Sequence, residues 1–538
     1  MTLLPFLIVT IGGALAVLFV RGPERLATAV GLLALLVGLV SALAIRPNES
    51  LAIGASGLAT TGYLRLFLVL GSLVGLILAV IGAAAGSRRD ATAVTLAVLG
   101  TSALALSLPD ARLAVLAATA GGAFGALLCV APLGGRAGAT IGIRALRATV
   151  VAGTMAIAAI AWIGRDLSDL AAQPVVFGLA YLAVALAVAI RFGVIPVHAW
   201  AARLADAVPE TTLPLVTAWA PAALAIVALA WADASIAPLR VDIDVDQARA
   251  VVLAVALASI VLASVAAWIQ DDLEHIVGYA IIGEAGVVML AVAALDPEAW
   301  APARMWILSF VVARSAFAAW AAAMRTTFFT GRVADLRGWA IRSPLLAIAF
   351  LFTVLASIGL PGLAAFDARG ALIAGTVDGP LAVVAWIGVL SPLAFYGRLF
   401  LVGVGRPDPR PGGDTSWLPV ISPMALTDLR RWATMTWSDN RAFIATGSAT
   451  LLAVVALAVS AGMFGGPAAA AGLPPTIERA VESLEPDQPE SPLETPGPSL
   501  EPEPSVELEP SLEGDPGASE PGPEGSGPSF APVPTASG

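Results

Sequence analysis

Six side chains in or beside the apolar runs of this sequence could do chemistry. Arg191 ends the run 175–190, Glu284 lies within 276–295, and Arg314 lies between Met305 and Ala323. Asp367 and Arg369 follow a helix-breaking Gly359-Leu360-Pro361-Gly362, and His198 follows Pro196 by two residues. A charge near a bilayer centre costs about 2.5–3.5 kcal/mol on insertion scales, so it faces a protein interior or a water path. Arg191 is near enough to a helix end to snorkel, whereas Glu284 and Arg314 are deep. Carboxylates and imidazoles can take up and release protons. Arginine stays protonated up to a pKa above about 12, so it fixes charge and orients water without titrating. Glu284, Asp367, His198 and His275 are therefore the groups able to titrate near an Arg191–Arg314–Arg369 series. His275 and Glu274 open a run and read as a solvated helix end.

Two helix breaks accompany these charges. Pro196 comes five residues after Arg191, and the Gly-Leu-Pro-Gly precedes Asp367. A broken transmembrane helix frees backbone groups that protein or water must satisfy, and transporters place such half-helices at ion sites near mid-membrane.

The elements that carry these residues are membrane spans. The chain has 538 residues, 58% hydrophobic and 13% charged, against about 25% charged in soluble domains. This excludes a water-soluble enzyme and excludes nucleic-acid binding as the main task. About 14 apolar runs of spanning length start near Leu3, Ala27, Leu64, Ala91, Leu113, Thr149, Val175, Leu213, Val251, Ile276, Ala301, Leu345, Leu381 and Phe443. The predicted fold is an all-α polytopic membrane protein with two broken helices and a disordered acidic tail. No basic residue precedes the first run, which argues against a cleaved signal peptide.

Lysine is absent, so all 29 basic residues are arginine. Loops after odd-numbered runs hold most of them, including Arg144, Arg147, Arg325, Arg332, Arg337, Arg342, Arg398 and Arg406. Loops after even-numbered runs hold Arg46, Arg112, Arg165, Arg240, Arg249 and Arg304. The positive-inside rule places the odd loops in the cytoplasm and, with an even span count, both termini outside. From Thr476 onward lie 14 of the 39 acidic residues and one arginine, leaving 28 basic and 25 acidic residues in the body. That Pro/Glu/Ser/Gly-rich tail cannot bury enough apolar surface to fold. The expected divisions are N-terminal helices 1–110, a core 111–404, a cytoplasmic loop 405–441, a last helix 442–466 and an extracytoplasmic tail 467–538. Trp417, Trp432 and Trp437 in the loop suit either a membrane interface or packing on the protein itself. The one cysteine, Cys129, allows no intramolecular disulfide.

Four segments carry a family resemblance. Arg191-Phe192-Gly193-Val194-Ile195-Pro196-Val197-His198-Ala199-Trp200 resembles the Lys-x-x-x-x-Pro-Phe-His-x-Trp segment of the antiporter-like membrane subunits of respiratory complex I. Asp272-Leu273-Glu274-His275-Ile276-Val277-Gly278-Tyr279-Ala280 resembles their Asn-Ile-Lys-Arg-Leu-Leu-Ala-Tyr-Ser. Asp335-Leu336-Arg337-Gly338 with Pro344 resembles the loop before their twelfth helix, and 359–369 resembles Gly-Ile-Pro-Pro-Leu-Ala-Gly-Phe-x-x-Lys. The order is the family's, over roughly 112–398, and the body is most similar in length to subunit N. The family also includes Mrp-type antiporter and membrane-bound hydrogenase subunits.

The resemblance implies a central proton relay. Its broken-helix lysine falls on Arg191, the eleventh-helix lysine near Arg314 and the twelfth-helix lysine on Arg369. A family histidine falls near Glu284, and His198 matches the Pro-x-His-x-Trp histidine. The expected proton pathway is thus Arg191, His198, Glu284, Arg314, Asp367 and Arg369.

This sequence departs from the pattern in its chemistry. No acidic residue occurs between Asp110 and Asp166, where the fifth-helix glutamate belongs. Nothing ionisable occurs between Glu210 and Asp233, where the eighth-helix lysine belongs. Three readings follow: a proton-translocating membrane subunit of a complex I-like NADH–quinone oxidoreductase, an Mrp-type cation/proton antiporter subunit, or a non-pumping scaffold that keeps the fold. No nucleotide-binding Gly-rich loop or Cys/His cluster is present, so no cofactor is expected. Any NADH, flavin or iron–sulfur chemistry would reside in partners. The expected setting is a bacterial inner membrane, in contact with the bilayer and with other membrane subunits, without nucleic acid. A lipid-linked transferase using Asp242, Asp244 and Asp246 is disfavoured, because their alternation fits a solvated loop.

Overall fold

The computed structural model describes residues 2–20, 24–53, 56–86, 90–130, 135–163, 174–235, 245–406 and 437–463. The tail from 467, Asp242, Asp244 and most of the loop 405–441, with Trp417 and Trp432, lie outside them. Eleven helices among the described residues are long and apolar enough to cross a membrane. Three shorter apolar helices accompany them: Leu4–Phe19, Ala91–Ser107 and Pro344–Ile358. The protein is a multi-pass, helical membrane protein, as the runs predict.

The first half comprises α1 (Leu4–Phe19), α2 (Glu24–Ala44), α3 (Gly62–Ala85), α4 (Asp90–Ser107), α5 (Ala111–Val130) and α6 (Gly135–Ile163). Then come α7 (Pro174–Phe192), the short α8 (Ala199–Ala205), a π-helical turn Leu215–Trp219 continuing into α9 (Ala220–Ser235), and α10 (Asp246–Ile269). The remainder is α11 (Leu273–Ala294), α12 (Trp300–Phe328), α13 (Trp339–Arg342), α14 (Pro344–Ile358), α15 (Ala364–Ala374), α16 (Gly379–Leu390), α17 (Pro392–Val404) and α18 (Trp437–Ser460). The last helix begins five residues before the expected 442.

One departure from an all-α chain lies between α2 and α3. There β1 (Ser50–Ile53) pairs antiparallel with β2 (Ser56–Ala59). Pro47 and the positive φ of Asn48 (62°) turn the chain away from helix. Thr60 Oγ1 then accepts the Glu49 N–H at 3.1 Å and donates to the Arg46 carbonyl at 2.8 Å, closing the ribbon's base.

Helices α9, α11 and α12 form the centre and are buried along nearly their whole length. Small residues in α12, such as Ala313, Ser315, Ala316 and Ala319, let its neighbours approach. The last helix, α18, packs on α3, α12 and α14, so the C-terminal span closes the bundle against early and late elements alike. The outer helices turn large apolar side chains outward: Leu33 and Val40 on α2, Trp162 on α6, Trp268 on α10, Ile387 on α16. In water such a surface would aggregate; against lipid tails it is the expected exterior.

Both predicted breaks are present. The α7 end is a Schellman-type stop, with Gly193 at φ 64° donating to Ile190 O (3.1 Å) and Val194 donating to Ala189 O (3.0 Å). The backbone beyond is held from outside: Ser259 Oγ on α10 accepts the Ile195 N–H at 3.1 Å, and Trp200 Nε1 donates to Ile190 O at 2.8 Å. The peptide bond between Ile195 and Pro196 is cis. The second break separates α14 from α15 at Gly359, φ 55°, and Gly362, φ 94°. Alone, the 15 residues of α14 rise about 22 Å, short of a hydrocarbon core of about 30 Å.

Candidate functional site

The centre of the site is a buried ion pair between the two innermost helices. Glu284 projects from α11 and is 4% exposed; Arg314 projects from α12 and is 1% exposed. Arg314 Nη2 lies 3.6 Å from Glu284 Oε1. That is ion-pair distance, beyond a hydrogen bond. Arg314 Nε, Nη1 and Nη2 and Glu284 Oε1 have no hydrogen-bond partner among the described residues. Buried groups of this kind are ordinarily satisfied by internal water. The Arg314 guanidinium also lies over aromatic faces, 5.8 Å from the Phe317 centroid and 5.9 Å from that of Tyr396.

Arg369 joins this cluster from the far side of the second break. Its Nη2 donates to the Ser357 carbonyl at 2.9 Å and the Ile358 carbonyl at 2.5 Å, and its Nη1 to Val389 O at 3.1 Å. These oxygens are the ends of α14 and α16, so one guanidinium ties three helix segments together. A cation at a helix C-terminus also complements the dipole there. The same guanidinium stacks 4.4 Å from the Trp306 ring of α12 and lies near Glu284 and Arg314.

Arg191 is equally buried, at 1% exposed, and stands apart from this group. It has no carboxylate partner among the described residues, and its Nη1 and Nη2 make no protein hydrogen bond. Its neighbours are the Trp200 ring, 5.9 Å away, and Gly122 of α5, where a Cβ would overlap Nη2. Close by, Phe192 packs on Phe310 of α12 with centroids 5.9 Å apart. His198, half-buried at the start of α8, lies 6.3 Å from the Tyr279 ring, with Nδ1 buried and unpaired.

The expected residues are therefore not all brought together. Glu284, Arg314 and Arg369 form one buried cluster, whereas Arg191 and His198 accompany the first break. Asp367 is exposed: the buried face of α15 carries Ala365, Ala368, Arg369 and Leu372, and Asp367 points away from it.

A second charged cluster occupies the arginine-rich end and includes Glu274 and His275, which read in the sequence as a solvated helix end. Arg325 of α12 pairs with Glu274 and places Nε 3.1 Å from Oε1 of Glu210, whose residue is 4% exposed. His275 contacts Asp206, which also lies 3.5 Å from Arg203. Asp206, Glu210, Thr211, Glu274 and Arg325 border a cavity of about 300 Å³. Burial holds the Glu210 carboxyl above the ordinary carboxylate range, with Arg325 opposing. No sequence spacing announces this cluster, because its members come from positions 206–210, 274–275 and 325. Among the described residues, no group of three or more His, Cys, Asp or Glu could hold a metal ion.

Comparison with known proteins agrees with this architecture. Residues 144–393 match the family described as NADH:quinone oxidoreductase/Mrp antiporter, TM. NADH-quinone oxidoreductase subunit N of Halorhodospira halophila is 27% identical over 252 residues, covering 46% of this chain and 50% of that protein. A subunit N of Streptomyces griseus is 26% identical over 255 residues, covering 47% and 50%. The chain thus spans about half the length of the curated relatives it matches. A chain of the Mrp complex from a Dietzia species superposes with a TM-score of 0.67 at 19% identity, covering 89% of this chain and all of that one. A chain of Thermus thermophilus respiratory complex I gives 0.64 at 21% identity, covering 89% and 99%. The resemblance read from the four motifs is shown, over a stretch narrower at its N-terminal edge than the expected 112–398, and the antiporter-like fold extends well beyond it.

Proposed function

We propose that this chain is a membrane subunit of a complex I-like quinone oxidoreductase, taking part in proton translocation through Glu284. The observation that carries the reading is the Glu284–Arg314 pair buried between the two innermost helices. Glu284 is the carboxylate of that cluster, the side-chain type there that can take up and release a proton; Arg314 and Arg369 remain cationic. When Glu284 is ionised, its carboxylate is attracted to Arg314. When it takes a proton, the attraction is lost and the cluster gains one unit of positive charge. Arg369 holds the broken helix by its backbone carbonyls, and Arg191 supplies a fixed charge at the other break. In this reading neither passes a proton by titrating. The arginine-rich end, with Glu210 and Glu274 at its cavity, is the cytoplasmic side, and both termini are extracytoplasmic. Redox chemistry belongs to partner subunits.

One observation favours the scaffold reading instead. Arg369 is engaged by three backbone oxygens, as a structural tie would be, and the fifth- and eighth-helix titratable groups have no counterpart. The deciding experiment is proton uptake by membrane vesicles carrying the assembled complex, with wild type, Glu284→Gln and Glu284→Asp. Loss of proton-coupled activity in Glu284→Gln with retention in Glu284→Asp supports translocation; unchanged coupling in Glu284→Gln leaves the scaffold. Mass spectrometry of proteins copurifying in mild detergent separates a quinone oxidoreductase from an Mrp-type assembly.

A further inference from the structure

A groove of about 900 Å³ opens at the arginine-rich end, between the end of α10, helix α17 and the loop leading into α13. Its walls differ in character. Trp268, Leu393 and Leu401 are 51%, 47% and 68% exposed and form an apolar side. Arg337, Arg398 and Arg406 bring three guanidinium groups to the same groove.

The groove is held in shape by its own hydrogen bonds. Gly338 N–H donates to Val402 O at 3.0 Å, and Trp339 Nε1 donates to Leu399 O at 3.1 Å, fixing the loop on α17. Arg398 is committed to structure: Nη1 donates to the Trp268 and Gln270 carbonyls at 2.5 and 2.6 Å, and Nη2 to Asp271 Oδ1 at 2.7 Å. That contact also engages Asp271. Arg337 and Arg406 are exposed on the rim. A Cβ placed on Gly397, in the groove's wall, would meet nothing within 4 Å.

This pairing of an apolar wall with clustered arginine suits one kind of molecule. A phosphodiester offers negative charge and acceptor oxygens that match the guanidinium fork. Basic pockets between transmembrane helices at a membrane surface take up lipid headgroups in this way. We propose that the groove is a binding site for an anionic phospholipid. Its headgroup phosphate is held by Arg337 and Arg406, and its acyl chains lie along Trp268, Leu393 and Leu401. Arg398 positions the groove and is not counted among the ligands. The site stands apart from Glu284 and is independent of any transport role.

The test is thermal unfolding of the full-length protein in mild detergent, titrated with phosphatidylglycerol, cardiolipin or phosphatidylcholine, with native mass spectrometry to count bound lipid. The expected result is a rise in Tm with the two anionic lipids and none with phosphatidylcholine. The double variant Arg337→Gln/Arg406→Gln should weaken the lipid response about tenfold or more, since each basic residue near an anionic headgroup adds about 1 kcal/mol. Gly397→Leu should fill the groove from a position with room for a side chain, removing the response while leaving the lipid-free Tm close to wild type. An equal response to phosphatidylcholine, a response retained in the arginine double variant, or the same response to inorganic phosphate alone would overturn the proposal.

Discussion

Arg314, Arg369 and Arg191 show that one residue type at equal burial serves three different local arrangements. Arg314 faces a carboxylate, Arg369 faces three carbonyls, and Arg191 faces a tryptophan and the space beside a glycine. The sequence marks Arg314, deep inside an apolar run, as buried, and leaves Arg191 near enough to a helix end to snorkel. It does not reveal which partner each charge takes, because partners arrive from other helices. Glu210 illustrates the same limit, and its protonation gives a residue-level prediction. Burial raises its folded pKa above the ordinary value of 4.5, against the opposing Arg325, while Glu274 adds to the rise. The folded state therefore holds the proton more tightly than the unfolded chain. That contribution is fully present below the unfolded pKa and is lost as pH rises through the folded one. A Glu210→Gln variant should lack this term. The Tm difference, wild type minus variant, should thus decrease as pH is raised from about 4.5 through the elevated pKa. A difference that grows with pH over that window would show Arg325 dominating and a lowered carboxyl instead.

At the scale of elements, the helix breaks were legible because Gly and Pro punctuate long apolar runs with few alternatives. The face that each half-helix presents was not. Residues 364–374 read Ala-Ala-Phe-Asp-Ala-Arg-Gly-Ala-Leu-Ile-Ala, with small and apolar residues all round, so no periodicity tells Asp367 from Arg369. Their opposite fates follow from packing on α12, which the order of residue types does not encode. The second break yields a prediction about stability. Gly359 has φ 55°, and a Cβ there would lie 3.0 Å from the Phe366 N and 3.3 Å from the Ala365 backbone. A left-handed backbone costs an L-residue about 1–2 kcal/mol, and crowding against backbone adds to it. Gly359→Ala should lower Tm clearly. Gly447→Ala in α18, where a Cβ meets nothing within 4 Å, should be neutral or stabilising by up to about 1 kcal/mol through helix propensity. Equal Tm values for the two variants would mean that the break is not held in this conformation.

At the scale of the whole molecule, the number of spans and the arginine bias are coupled, and together they predict a topology that can be tested from outside. The alternation assigns the exposed Arg332, beyond the C-terminal end of α12, to the arginine-rich face. It assigns Arg112, at the N-terminal end of α5 and paired with Asp110 at 2.8 Å, to the opposite face. The molecule's one cysteine, Cys129, is buried in α5, so Cys129→Ala provides a background in which introduced thiols report alone. In that background Arg332→Cys and Arg112→Cys should react with a membrane-impermeant maleimide from opposite sides of sealed vesicles, with Arg332→Cys labelled from the cytoplasmic side. Arg112→Cys also removes an exposed ion pair, whose loss is worth at most about 1 kcal/mol, so the fold should survive the substitution. Labelling of both from one side would require an odd number of crossings somewhere in 112–332 to be lost or gained. Opposite-side labelling with the sense reversed would keep the span order and invert the molecule, placing the Glu210 cavity and the arginine-lined groove on the extracytoplasmic face.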